Sequence, residues 1–147
     1  MTTIRHEFVE AVPEKLESGV LYVSIRFATA MHLCACGCGG EVVTPLSPTD
    51  WELRYDGESV SLYPSIGNWS FDCRSHYWIM DGTIEWAENW TNEAIAESRK
   101  RDRVDKIRFY DRRRREAEAL LQRAPRGTLH SSEEIADDNE RKRRDRE

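Results

Sequence analysis

His32-Leu33-Cys34-Ala35-Cys36-Gly37-Cys38-Gly39-Gly40 packs three of the chain's four cysteines into five residues. The fourth, Cys73, opens a second cluster, Cys73-Arg74-Ser75-His76. Zinc takes four nitrogen or sulfur ligands in a tetrahedron, commonly from two short segments far apart in sequence. Cysteines one residue apart reach one ion only if the backbone curls around it. Gly37, Gly39 and Gly40 supply that curl, since glycine adopts positive φ at little cost. The two clusters therefore read as halves of one structural Zn2+ site that pins a small β domain together. Two ligand sets are open. If Cys34, Cys36, Cys38 and Cys73 all bind, His76 is free. If Cys73-x-x-His76 binds as a unit, one clustered cysteine is spare. The four-cysteine set is the preferred reading. A Rieske-type cluster is weaker, because it would use His32-x-Cys34 in reversed order. A disulfide framework is disfavoured in a reducing compartment.

Working outward, strands flank this stretch. Ile4–Val9 is β-like, and Gly19–Phe27 alternates with Leu21, Val23 and Ile25 on one side. Glu41–Thr44 follows the cysteines and stops at Pro45. Two Asp-Gly pairs, Asp56-Gly57 and Asp81-Gly82, sit between alternating segments and predict two hairpins. Pro64-Ser65-Ile66-Gly67-Asn68-Trp69 reads as a loop between them. Thr91 or Asn92 caps a helix, and no Gly or Pro intervenes before Pro125. The expected fold class is α+β. Residues 1–90 form a small, mostly antiparallel β domain stapled by metal, 91–124 a charged helical arm, and 125–147 a disordered tail.

The 147 residues carry a net charge of −5. The charge is uneven: residues 1–90 hold a net −8 and residues 91–147 a net +3. All five tryptophans lie in the first ninety residues. Arg99–Arg115 is rich in arginine and lysine, and phosphate contact with nucleic acid is one reading. The interleaved Asp102, Asp105, Asp111 and Glu116 favour a solvated, self-paired helix instead. An acidic domain is also the wrong sign for a nucleic-acid binder. No apolar run approaches a membrane span. The N-terminus lacks the apolar segment of a secretory signal, so the expected location is cytoplasmic.

Three motifs together resemble a small bacterial family of cysteine-rich domains of unknown function. They are Cys34-Ala35-Cys36-Gly37-Cys38, the run Ser61–Trp69, and Cys73-Arg74-Ser75-His76-Tyr77-Trp78-Ile79. The likeness covers roughly residues 4–90. Its members are often encoded beside ubiquitin-like modifiers and their E1- and E2-like enzymes. It implies a serine peptidase that processes or removes the modifier, with that modifier and its conjugation enzymes as partners. Such chemistry needs a hydroxyl, a base and a group to orient the base. Ser65 is the first candidate nucleophile, with loop N–H groups as oxyanion donors, and Ser75 the second. His76 is the candidate base, with His6 and His32 behind it. Asp72 or Glu41 could orient the imidazole. The alternative is a non-catalytic zinc-binding adaptor for a ubiquitin-like conjugation complex or nucleic acid.

Overall fold

A computed structural model describes residues 2–123; the tail expected over residues 125–147 lies outside them. The architecture is α+β. Eight strands precede one long helix: β1 Arg5–Phe8, β2 Val20–Ser24, β3 Thr29–Leu33, β4 Glu41–Pro45, β5 Glu52–Tyr55, β6 Val60–Gly67, β7 His76–Met80, β8 Thr83–Trp86, and α1 Asn92–Arg123. They form two four-stranded sheets, β1-β2-β3-β4 and β5-β6-β7-β8. All pairings are antiparallel except β1 with β2.

Both expected hairpins form, β5–β6 and β7–β8, with Gly57, Asp81 and Gly82 at positive φ. Aspartate and glycine tolerate that backbone better than most residues. The N-terminal segment ties the sheets together. Ile4 N–H donates to Gly82 O at 2.9 Å and Ile84 N–H to Thr2 O at 2.8 Å, just before β1 joins β2. One apolar cluster draws on both sheets. Leu21, Val23, Ala30 and Val42 come from the first, and Val60, Leu62, Ile66, Tyr77 and Ile79 from the second. Burying side chains of this size contributes about 1.5–3 kcal/mol each.

Alternation across β2 is less simple than the sequence suggests. Every residue from Val20 to Ser24 is buried. The second face is covered by the segment before β2, where Val9, Val12 and Leu16 pack on Val20 and Tyr22. Ile25, expected to face the core, is exposed because the strand has ended and the chain turns, with Ala28 at positive φ.

The larger correction concerns Pro64-Ser65-Ile66-Gly67, expected as a loop. It is the second half of β6. Leu62 pairs with Ile79 but Ile66 pairs with Tyr77, so β6 spends two more residues than β7 over this interval. That bulge accommodates Pro64, which has no N–H to give a ladder.

Thr91 caps α1, accepting the Ala94 N–H on Oγ1 at 3.2 Å. The chain divides into two compact units after Lys106. The start of α1 belongs to the first unit because it is anchored there. Ile95 is buried, Arg99 reaches Ser70 Oγ at 3.3 Å, and Lys106 reaches Asp50 at 3.5 Å. In the second unit, the described part of α1 from residue 107 is mostly exposed. No described helix is long and apolar enough to cross a membrane.

Candidate active site and metal centre

The cysteine run forms the turn between β3 and β4. Cys34 N–H donates to Gly40 O at 2.8 Å, and Gly37 N–H to Cys34 O at 3.1 Å. Gly37 and Gly39 take positive φ, at 88° and 81°. Gly40 is needed for a different reason: a Cβ there would stand 2.7 Å from the Phe71 ring. Cys73 arrives from the segment Asn68–Ser75, which connects β6 to β7 in the other sheet. Arg74, at φ 46°, sharpens its turn.

All four sulfurs lie within 4.8 Å of one another. Cys34 is 3.4 Å from Cys36 and 3.8 Å from Cys73, and Cys38 is 3.7 Å from Cys73. A tetrahedral ion with metal–sulfur bonds of about 2.3 Å places its sulfurs about 3.8 Å apart. None of the four is in a disulfide. The set therefore fits one metal ion, and His76 is not among the clustered ligands. The surroundings act on the thiols in opposite directions: despite the Cys38 N–H, burial and the neighbouring sulfurs push Cys36 up to about 12. The Cys38 N–H points at Cys36 Sγ and the Gly40 N–H at Cys38 Sγ, both at 3.4 Å. The Ser75 hydroxyl, 3.5 Å from Cys73 Sγ, draws that thiol down to about 6. Metal binding requires the deprotonated form.

A buried polar network backs the sulfurs. Ser75 Oγ lies 3.0 Å from Cys34 Sγ. The Asn68 amide donates to Ser75 Oγ at 3.0 Å and Tyr77 Oη at 3.4 Å. Tyr77 Oη also meets His32 Nε2 at 2.7 Å. Burial holds the His32 imidazole down at about 4, and burial likewise raises the Tyr77 phenol. His32 is thus a neutral core group, and its Nδ1 has no hydrogen-bond partner among the described residues. Ser75, the second candidate nucleophile, belongs to this sulfur network and makes no hydrogen bond to His76.

His76 points the other way, as successive side chains on a strand do. Its Nε2 lies 2.8 Å from Ser65 Oγ, and its Nδ1 lies 2.6 Å from the main-chain oxygen of Glu88. A carbonyl only accepts, so Nδ1 carries the proton. Nε2 is then left as the acceptor facing the Ser65 hydroxyl. The chain after β8 delivers that carbonyl: Ala87 N–H donates to His76 O at 2.9 Å and fixes the segment over the imidazole. Neither Asp72 nor Glu41 bonds the imidazole; a main-chain oxygen takes the orienting position expected of a carboxylate.

Two indoles enclose the ring. Trp69 and Trp90 stack at 5.9 Å, and their centroids lie 4.9 Å and 5.2 Å from the imidazole. Gly67 lets Trp69 lie there, because a Cβ at that position would stand 2.4 Å from its Nε1. After the bulge before Ile66, the half-buried Ser65 lines a cleft of about 520 Å3. His6 is remote from this cleft, in an edge-on aromatic group with Phe8 and Tyr55.

Fold and site define a small cysteine-stapled α+β protein with a serine–histidine pair in an aromatic cleft. The chain belongs to the BubE family, described as bacterial ubiquitination-like system serine protease, whose model matches residues 8–87. No curated protein and no solved structure matches the chain. The matched stretch contains all four cysteines, Ser65 and His76; Glu88, Trp90 and α1 lie beyond it. Sequence reasoning missed the Glu88 carbonyl, which has no residue-type signature. Trp90 carried a weak signal, as one of two tryptophans near the ends of a polar run.

Proposed function

We propose that this chain is a zinc-stabilised serine peptidase that processes or removes a bacterial ubiquitin-like modifier. The supporting observation is the relay from Ser65 Oγ through His76 to the Glu88 carbonyl. Ser65 passes its proton to Nε2 as Oγ attacks the scissile carbonyl. The imidazolium returns that proton to the departing amine, and water then repeats the sequence on the acyl-enzyme. The Glu88 carbonyl holds the productive tautomer and steadies the imidazolium with a dipole rather than a full charge.

The sulfur site has a supporting role. Four thiolates leave no open position on a tetrahedral ion, which is the pattern of structural rather than catalytic zinc. When bound, the ion contributes cross-linking of the two sheets; Cys34, Cys36, Cys38 and Cys73 would hold it. Proton transfer is left to Ser65 and His76. The family description supports a modifier tail as substrate.

A non-catalytic adaptor is the competing reading, and the exposed Trp86 and Trp90 favour it. Turnover separates the two. Ser65→Ala should lower modifier cleavage by roughly 10³-fold or more. Its folding, read by circular dichroism, and its metal content should match the parent. Cleavage by Ser65→Ala at the parental rate removes Ser65 from the mechanism.

A further inference from the structure

The wall of the cleft facing His76 is built by residues beyond the family-matched stretch. Ile95, Ser98, Arg99, Asp102, Arg103 and Lys106 all line it. Their spacing of three and four residues puts them on one face of α1. That face is fixed in place by buried Ile95 and by the contacts of Arg99 with Ser70 and Lys106 with Asp50.

The charges on it are not all used. Lys106 is paired with Asp50 at 3.5 Å. Among the described residues, neither Arg99 nor Arg103 has a carboxylate within 4.0 Å, although Asp102 lies on the same face. Two guanidinium groups therefore line a cleft that also holds Asp50, already paired with Lys106, Asp102, tryptophan rings and the serine–histidine pair, so cationic side chains outnumber carboxylates there. Guanidinium binds carboxylate in a planar, two-pronged geometry and tolerates neighbouring aromatic faces. Elsewhere residues 1–90 carry a net −8, so an acidic peptide is repelled by most of the surface and drawn to this wall.

We propose that the first half of α1 is a specificity wall. In this assignment Arg99 and Arg103 select peptide substrates that carry an acidic side chain close to the scissile bond. The inference rests on the peptidase reading of Ser65 and His76 and adds a substrate class to it.

The test is cleavage of a proteome-derived peptide library by the full chain, read by mass spectrometry. It is followed by matched peptides with Glu, Gln or Lys at the enriched position. The parent should prefer Glu to Gln by about fivefold in kcat/KM, with Lys poorest, and the preference should fade as salt rises. Arg103→Glu, alone or with Arg99→Glu, should reverse the order of the three peptides. Arg103→Lys should keep part of the preference. Equal cleavage of all three peptides by the parent, or a Glu preference that survives both reversals, overturns the specificity wall and leaves the peptidase reading standing. No cleavage of any peptide by the parent, with Ser65→Ala indistinguishable from it, overturns both.

Discussion

Ser75 and His76 are neighbours in sequence and belong to different sites. Ser75 sits among the sulfurs, 3.0 Å from Cys34, whereas His76 faces the opposite cleft and Ser65 at 2.8 Å. One peptide step at the start of β7 divides the cysteine cluster from a serine–histidine pair. The sulfur site depends on side chains with a chemistry no other residue shares. The cleft depends on where ordinary residues are aimed: a bulge, a carbonyl and a glycine that admits an indole.

The largest effect should come from taking the sulfur site away. Chelation, or Cys34→Ala, removes the link between the β3–β4 turn and the Asn68–Ser75 segment. A loss of about 3 kcal/mol or more should follow, lowering Tm by more than about 10 °C. Cleavage should fall with it, because Asn68 and Ser75 flank the strand ends that present Ser65 and His76. The converse should fail: Ser65→Ala should leave metal content unchanged. A chelated protein with unaltered Tm would break the comparison.

The next effect is one of pH. His32 is held at about 4 in the folded chain, against an ordinary value of 6.5. The folded state therefore refuses a proton that the unfolded state accepts below pH 6.5. Stability is unaffected above that value, falls as pH drops from 6.5 towards 4, and levels off below. The full loss is about 3 kcal/mol. Urea midpoints taken across this window should show it, with metal content followed in parallel because acid also protonates thiolates. His32→Gln should flatten the curve where metal is retained. An unchanged slope in that variant would remove His32 as the cause.

The smallest change belongs to the cleft. Gly67→Ala places a methyl where Trp69 Nε1 now lies, 2.4 Å away. Trp69 must move, at a cost of about 1–3 kcal/mol. The indole wall over His76 should shift, and cleavage should drop about tenfold while the sulfur site keeps its metal. Parental activity in this variant would show that Trp69 does not shape the productive cleft.

Much of the fold was legible in advance. Asp56-Gly57 and Asp81-Gly82 announced their hairpins because only a few residues accept the backbone those turns need. Thr91 or Asn92 announced the helix start through a capping side chain, and the structure uses Thr91. The Pro64–Gly67 strand was not legible, since proline and glycine read locally as loop. Only pairing with β7 across a bulge makes that segment extended.

By itself the sequence determined that a cysteine cluster drawn from two segments could hold a metal ion, because four thiols at that spacing have few other uses in a chain this small; it left open whether His76 replaces one of them. It also determined the alternation that forms the sheets and the charged character of α1. Tertiary structure alone decided that His76 is free of the sulfurs, that Ser65 rather than Ser75 is its partner, and that Glu88 orients it through the main chain. The physical reason is that side-chain identity is written locally, whereas direction is fixed by strand register. A backbone carbonyl becomes a functional group only where the fold delivers it.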